Sequence, residues 1–133
     1  MKYYLDTNIF LRLYLDDNPE QTKELKFFIN DAIKQSDKLF VTIEILLEFE
    51  YVLRKFYKQH KNITIKYLRS IITTSYLTLI DDGEIRLACQ LFEHCNVDLV
   101  DCVLFSRSVL DNAEIKSFDK DFIKIKKVYD ILS

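Results

Sequence analysis

The most informative segment for the fold is Lys2-Tyr3-Tyr4-Leu5-Asp6-Thr7-Asn8, at the start of the chain. Its apolar and aromatic half, Lys2–Leu5, predicts a short buried strand, and the polar residues that follow prefer turns and helix caps. Two further apolar runs, Leu39–Val41 and Leu77–Ile80, predict strands of the same kind. Segments of helical periodicity separate the three runs, and this alternation predicts an α/β fold around a mostly parallel sheet.

The remaining elements follow from the same patterns. Residues with helical spacing predict helices that start near Ile9, Asn18, Thr42, Asn62, Asp81 and Asp98, the third of them reaching about His60. Two late segments complete the expected sheet. Glu114–Phe118 is predicted to be a fourth strand and Ile125–Tyr129 a short fifth one. The expected sheet therefore has four or five strands.

Composition sets the class of protein. The chain has 133 residues, of which 49% are hydrophobic and 30% charged, and this predicts one globular domain over residues 1–133. The net charge is −2, so no overall positive charge draws it to nucleic acid or to a membrane. The three cysteines follow no metal-ligand spacing, and we expect buried thiols. No signal peptide or spanning run is apparent, so a cytoplasmic protein without membrane association is expected.

Carboxylates follow several of the predicted strands. Asp6 comes after the first strand, Asp119 after the fourth, and Glu48 lies in the helix after the second. Asp98 and Asp101 open the helix that leads into the fourth strand. Ligands of open α/β sheets bind beyond the carboxyl ends of the strands, so these acids are candidates for one site. Each aspartate can equally be a helix cap or a turn residue. Glu48 has apolar neighbours, so we expect it to be buried and to need a cation.

Such a group of acids, without histidine or cysteine, forms a hard oxygen site. Oxygen donors of this kind suit Mg²⁺ or Mn²⁺ better than zinc or copper. The reaction that such a site favours is the hydrolysis of a phosphodiester by metal-activated water. The sequence therefore indicates a metal-dependent phosphoesterase as one candidate function.

Four short motifs, in this order along the chain, resemble the PIN domain, and in particular the VapC-type toxins of toxin–antitoxin pairs. They are Leu5-Asp6-Thr7-Asn8, Leu47-Glu48, Asp98-Leu99-Val100-Asp101 and Ser117-Phe118-Asp119-Lys120-Asp121-Phe122. Ser117 stands where threonine is usual, which keeps the hydroxyl. The resemblance implies a three-layer α/β/α sandwich and a Mg²⁺- or Mn²⁺-dependent endoribonuclease. It also implies a structured RNA substrate such as transfer or ribosomal RNA, a small antitoxin partner and a homodimer.

The resemblance also assigns roles to individual residues. It implies that the catalytic, metal-binding acids are Asp6, Glu48, Asp101 and Asp119, with Asp98 and Asp121 as additional ligands. Thr7, Asn8 and Ser117 would orient the site, Thr7 by capping the helix that follows. Glu44 lies one turn before Glu48 and shares its helix face, whereas Glu50 is expected to be solvated.

Charge is unevenly distributed in spite of the small net value. No acid occurs from Tyr51 to Ile80, and this stretch contains the candidate RNA-binding residues Arg54, Lys55, Lys58 and Lys61. A second basic cluster surrounds Asp119 and includes the further candidate Lys120. Basic groups interleaved with aromatic side chains can hold phosphates and unpaired bases. Solvated surface residues are the alternative explanation for both clusters.

Two other functions fit the same residues. One is a catalytically silent PIN-like module that binds RNA or serves as a scaffold. The other is a different Mg²⁺-dependent phosphate-ester hydrolase, in which Asp6 would act as the nucleophile. A P-loop enzyme is excluded, because the only glycine is Gly83.

Overall fold

The structure, a computed structural model, describes every residue from Met1 to Ser133. Its three strands are β1 (Lys2–Tyr4), β2 (Lys38–Val41) and β3 (Leu77–Leu79). Its seven helices are α1 (Thr7–Leu15), α2 (Pro19–Lys34), α3 (Ile43–Lys55), α4 (Lys61–Thr73), α5 (Asp82–His94), α6 (Leu99–Leu110) and α7 (Asp121–Leu132). None of these helices has both the length and the apolarity needed to cross a lipid bilayer. The chain divides into two compact units, Met1–Ile80 (unit 1) and Asp81–Ser133 (unit 2).

Unit 1 contains the sheet. Its strands run parallel in the order β1-β2-β3, with Leu39 of β2 in register between Tyr3 and Leu77. Leu39 and Val41 are fully buried, because the central strand has a neighbour on each side and side chains pack on it. This arrangement confirms the predicted α/β class and the parallel sheet.

The helices of unit 1 share an aromatic core. Helix α1 packs against α2 and α3, and α3 packs against α4. Phe49 of α3 is fully buried where these helices meet. Its ring centroid lies 6.1 Å from that of Phe10 in α1 and 6.4 Å from that of Tyr67 in α4. Tyr14 stacks on Tyr67 at 4.8 Å, so one cluster of rings connects three helices.

Replacing Phe49 by alanine is expected to destabilise the protein by about 3–5 kcal/mol, because it removes a buried ring and leaves a cavity among α1, α3 and α4. Denaturant unfolding followed by far-UV circular dichroism measures this change. The matched control is Phe27→Ala, since Phe27 is 65% exposed and its truncation opens no cavity. Equal losses for the two variants would contradict the packing described.

Unit 2 is helical. Helices α5, α6 and α7 all pack against one another. Ile125 of α7 is fully buried, and the ring of Phe105 in α6 meets that of Tyr129 in α7 edge-on at 5.5 Å. The last helix is therefore fixed to α6 through its apolar side.

Two predicted strands are wrong, and both lie in unit 2. Glu114–Phe118 is irregular and pairs with no strand, so the sheet has three strands and not four or five. Ile125–Tyr129 is part of helix α7, because its apolar residues fit a helical period that begins at Phe122. The long third helix also ends early, at Lys55, and Lys58 beyond it has a left-handed backbone with φ of 53°.

The three cysteines form no disulfide. Cys95 and Cys102 are buried, and Cys89 is largely so. Burial raises the pKa of the Cys89 thiol to about 12, so this group stays protonated at neutral pH. A buried, protonated thiol is a poor nucleophile and a poor metal ligand, which agrees with the role predicted from the sequence.

Candidate active site

Three carboxylates come together in unit 2. One oxygen from each of Asp101, Asp119 and Asp121 lies within 4.8 Å of the other two. Asp101 is half-buried in α6, Asp119 is exposed before α7, and Asp121 is the first residue of α7. The sequence named all three, but it placed Asp121 only as an additional ligand.

Helix α6 brings one acid, Asp101, to this cluster and begins at a second acid, Asp98. Asp98 is the N-cap of α6 with an extended backbone, and its side chain makes no capping hydrogen bond. Asp101 follows one turn later, on the same side of the helix. Burial raises the pKa of Asp101, and the carboxylates of Asp119, Asp98 and Asp121 raise it further. The charged form of Asp101 is therefore disfavoured unless a cation is present.

A tight turn positions Asp119. The backbone N–H of Asp119 donates to Ser117 Oγ at 2.9 Å, and the backbone N–H of Asp121 donates to Asp119 Oδ1 at 2.9 Å. The first bond holds the backbone of Asp119, and the second holds one oxygen of its carboxylate and leaves the other oxygen available. Lys124 Nζ lies 3.3 Å from Asp121 Oδ1 and offsets part of the negative charge. Ser117 thus contacts the backbone of Asp119, and its role in orienting the site stays a prediction.

The donor set of the cluster fits a divalent cation. All three groups offer carboxylate oxygens, which are the ligands that Mg²⁺ and Mn²⁺ prefer. Burial first, and then the neighbouring carboxylates, raise the pKa of Asp101, so its charge is unfavourable without a cation. A cation of charge +2 would balance that charge, so the residues present suit the metal that the sequence predicts.

Asp6 and its neighbours lie in unit 1, just beyond β1. Asp6 is the exposed N-cap of α1, and its Oδ1 accepts from the backbone N–H of Asn8 at 3.0 Å. Thr7 is the first residue of the helix, so Asp6 is the cap and the capping role predicted for Thr7 is wrong. The Thr7 hydroxyl is buried without a hydrogen-bond partner. Asp6 and Asn8 also line an open cavity of about 550 Å³.

The environments of Glu48 and Glu50 are the reverse of those predicted from the sequence. Glu48 is exposed on α3, as is Glu44, whereas Glu50 is 7% exposed. Arg54 Nε donates to Glu50 Oε2 at 2.9 Å, so the buried carboxylate has its cation within the same helix. The prediction of a buried Glu48 and a solvated Glu50 is wrong. Because an exposed acid can still serve an open site, Glu48 stays a candidate by position only.

The candidate RNA-binding residues of unit 1 have different environments. Lys55 and Lys58 are exposed and Lys61 is half-buried. Arg54 is held by Glu50, and its guanidinium lies 5.7 Å from the ring centroid of Tyr51. In unit 2, Lys120 is exposed between Asp119 and Asp121. Of the five candidates, Arg54 is thus the one whose charge is already matched by a buried partner.

One feature of the site was not apparent from the sequence. Phe118, directly before Asp119, is completely exposed. The sequence placed Phe118 in a predicted fourth strand, where an aromatic side chain would be expected to be at least half covered. An aromatic residue next to a candidate metal ligand, in a segment without strong periodicity, was the available signal.

The chain is similar to a known protein family and to a known ribonuclease. The family model of the PIN domain matches residues 3–128. A VapC ribonuclease of Aquifex aeolicus (strain VF5) is 24% identical over 122 residues, which are 91% of this chain and 90% of that protein. No solved structure gives a significant match. Because the family model covers nearly the whole length of both units, the chain belongs to the PIN domain family.

Proposed function

We propose that the protein is a metal-dependent endoribonuclease that acts as the toxin of a toxin–antitoxin pair. The observation that carries the proposal is the carboxylate cluster of Asp101, Asp119 and Asp121 inside a chain that belongs to the PIN domain family. The similarity to a protein named VapC ribonuclease supports RNA as the substrate. We also propose that the two units act as one nuclease domain over residues 1–133, since the family match spans both.

In this proposal, Asp101, Asp119 and Asp121 would hold Mg²⁺ or Mn²⁺. A divalent cation supplies the Lewis-acid chemistry that the attack of water on a phosphodiester requires. The protein contributes the geometry: Ser117 holds the backbone of Asp119, and the backbone N–H of Asp121 holds its carboxylate, before substrate arrives. Fixed ligands lower the reorganisation that binding and reaction would otherwise need.

We further propose that the four acids predicted from the sequence, Asp6, Glu48, Asp101 and Asp119, are all needed for catalysis. Asp98 is a further candidate ligand, supported by its uncapped carboxylate and its effect on the pKa of Asp101. Asn8 supports Asp6 through the backbone hydrogen bond within the cap.

The partners follow from the same proposal. A structured RNA, such as transfer or ribosomal RNA, is the expected substrate, and the cytoplasm is the proposed location. A small antitoxin protein and a second copy of the chain are the expected protein partners. Lys55, Lys58, Lys61 and Lys120 are the candidate phosphate contacts, and Arg54 is a weaker one because Glu50 holds it.

Incubation with a pool of transfer and ribosomal RNA tests the proposal. The wild-type chain is expected to give discrete fragments with Mn²⁺ and none with a chelator, whereas Asp6→Asn is expected to give none in either case. Glu48→Gln is expected to lose activity, and its matched control Glu44→Gln, one turn away and also exposed, is expected to keep it. Intact RNA that is nevertheless bound would favour the catalytically silent module. Release of phosphate from small phosphate esters would favour the alternative hydrolase.

A further inference from the structure

A groove of about 900 Å³ lies beside Asp119, within unit 2. Its floor is apolar and includes Phe105, Ile115 and Tyr129. The rim carries Phe118, Asp119 and three lysines, Lys120, Lys126 and Lys127. Ligand clefts in proteins are about 300–1,000 Å³ in volume, so the groove is large enough for a nucleotide.

Phe118 is the unusual member of the rim. Its side chain is fully exposed, although burial of an aromatic ring would stabilise the fold. The turn that holds Asp119 through Ser117 Oγ also fixes the backbone of Phe118 between them. The ring is thus presented next to a candidate metal ligand with both faces accessible.

The lysines of the rim supply a matching charge. Lys120 and Lys127 form no ion pair, and Lys126 is paired with Asp130 at 2.7 Å. Apart from Asp119, the only acid of the groove is Glu114. Two unpaired cations beside an exposed aromatic ring match the alternation of phosphate and base along a single strand of nucleic acid.

We propose that this groove binds an unpaired stretch of RNA, with a nucleobase stacked on Phe118 and the adjacent phosphates held by Lys120 and Lys127. The inference rests on the proposed function, because it takes RNA as the polyanion that approaches Asp119. Bases within a duplex are already stacked on their neighbours, so the face of Phe118 selects an unpaired nucleotide. Phe118 is in this account a positioning residue that places the strand relative to the carboxylates.

Binding of a short, mixed-sequence single-stranded RNA, measured by fluorescence anisotropy in EDTA, tests this inference. Phe118→Leu is expected to weaken binding by roughly 10- to 100-fold, which is the usual effect of removing the aromatic side chain on which one base stacks. Phe118→Tyr is expected to restore it. Annealing the RNA to its complement is expected to weaken binding to the wild-type chain. The matched control is Ile131→Ala, which truncates a side chain on α7 that is 82% exposed and lies outside the groove.

A spectroscopic signature separates stacking from a structural role. The RNA is labelled with the fluorescent adenine analogue 2-aminopurine. Its fluorescence is expected to be quenched by the wild-type chain and by Phe118→Tyr, but not by Phe118→Leu. Equal binding and quenching by Phe118→Leu and wild type, or no binding by wild type, would overturn the inference. The first result would show that no base stacks on Phe118.

The same measurements keep the two proposals apart. If the wild-type chain binds and quenches the RNA but cleaves none with Mn²⁺, the proposed function fails and the Phe118 inference stands. If it cleaves RNA while Phe118→Leu binds as tightly as wild type, the inference fails and the proposed function stands.

Discussion

Replacing Asp119 by asparagine is expected to lower the rate of Mn²⁺-dependent RNA cleavage by roughly 10²- to 10⁴-fold. Asparagine keeps the size of the side chain and can still accept the backbone hydrogen bond from Asp121. The change therefore removes one negative charge from the cluster and leaves the turn intact. Single-turnover cleavage rates of the wild-type and variant proteins measure the effect.

The matched control for this prediction is Asp111→Asn. Asp111 is an exposed aspartate directly after α6 and takes no part in the cluster. It is expected to retain the wild-type rate. A rate for Asp119→Asn within threefold of that of Asp111→Asn would show that the cluster does not catalyse the reaction.

Replacing Asp101 by asparagine is expected to have opposite effects on stability with and without metal. In EDTA the variant is expected to melt at a higher temperature than the wild type, because one of several mutually repelling carboxylates is gone. With Mn²⁺ at about 100 times its dissociation constant, the wild type is expected to gain about 2.7 kcal/mol. For a domain of this size, that is roughly 10 °C in melting temperature. The variant is expected to gain much less.

The pH dependence of the metal-free protein has a defined sign. The pKa of Asp101 is raised in the folded state, so the folded protein keeps a proton that the unfolded chain has already released. The contribution of this group to the free energy of unfolding therefore falls as the pH rises through the interval between the two pKa values. Asp101→Asn is expected to remove that contribution. An unchanged melting temperature in EDTA, together with a full response to Mn²⁺, would contradict both the repulsion and the metal site.

The sequence predicted the sheet of unit 1 because each of its strands lies in a short segment of mostly apolar or aromatic residues. Leu39–Val41 shows this most clearly, since a central parallel strand is covered on both faces and needs no alternation. The turn residues after β1 were equally informative, because Asp6 caps α1 through its own side chain. The local sequence was sufficient to predict this turn because one side chain, that of Asp6, accepts hydrogen bonds from backbone N–H groups at the start of α1.

The late segments could not be predicted in the same way. Glu114–Phe118 has the composition of a strand, but a strand exists only where a neighbour offers its backbone groups, and that is a property of the tertiary structure. Ile125–Tyr129 was ambiguous because a short apolar run fits either period. Only the longer segment, with Phe122 and Ile125 on one side, favours the helix that forms.

The environments of Glu48 and Glu50 illustrate a different limit. Adjacent residues in a helix do not face the same way, so the apolar neighbours of Glu48 say little about its own exposure. Glu50 shares a stripe with Leu46 and Leu53, at helical spacings of four and three residues, and it is the one that is buried. The arrangement of the Asp101, Asp119 and Asp121 side chains likewise depends on how α6 and α7 pack.

Cleavage in water enriched in oxygen-18 tests the proposal that this chain hydrolyses RNA with metal-activated water. Mass spectrometry of the fragments is predicted to show one labelled oxygen in each newly formed terminal phosphate, only with Mn²⁺ or Mg²⁺ present. The Asp119→Asn protein is predicted to give no such product. Unlabelled 2′,3′-cyclic phosphate ends, or the same labelled fragments from Asp119→Asn, would contradict the account.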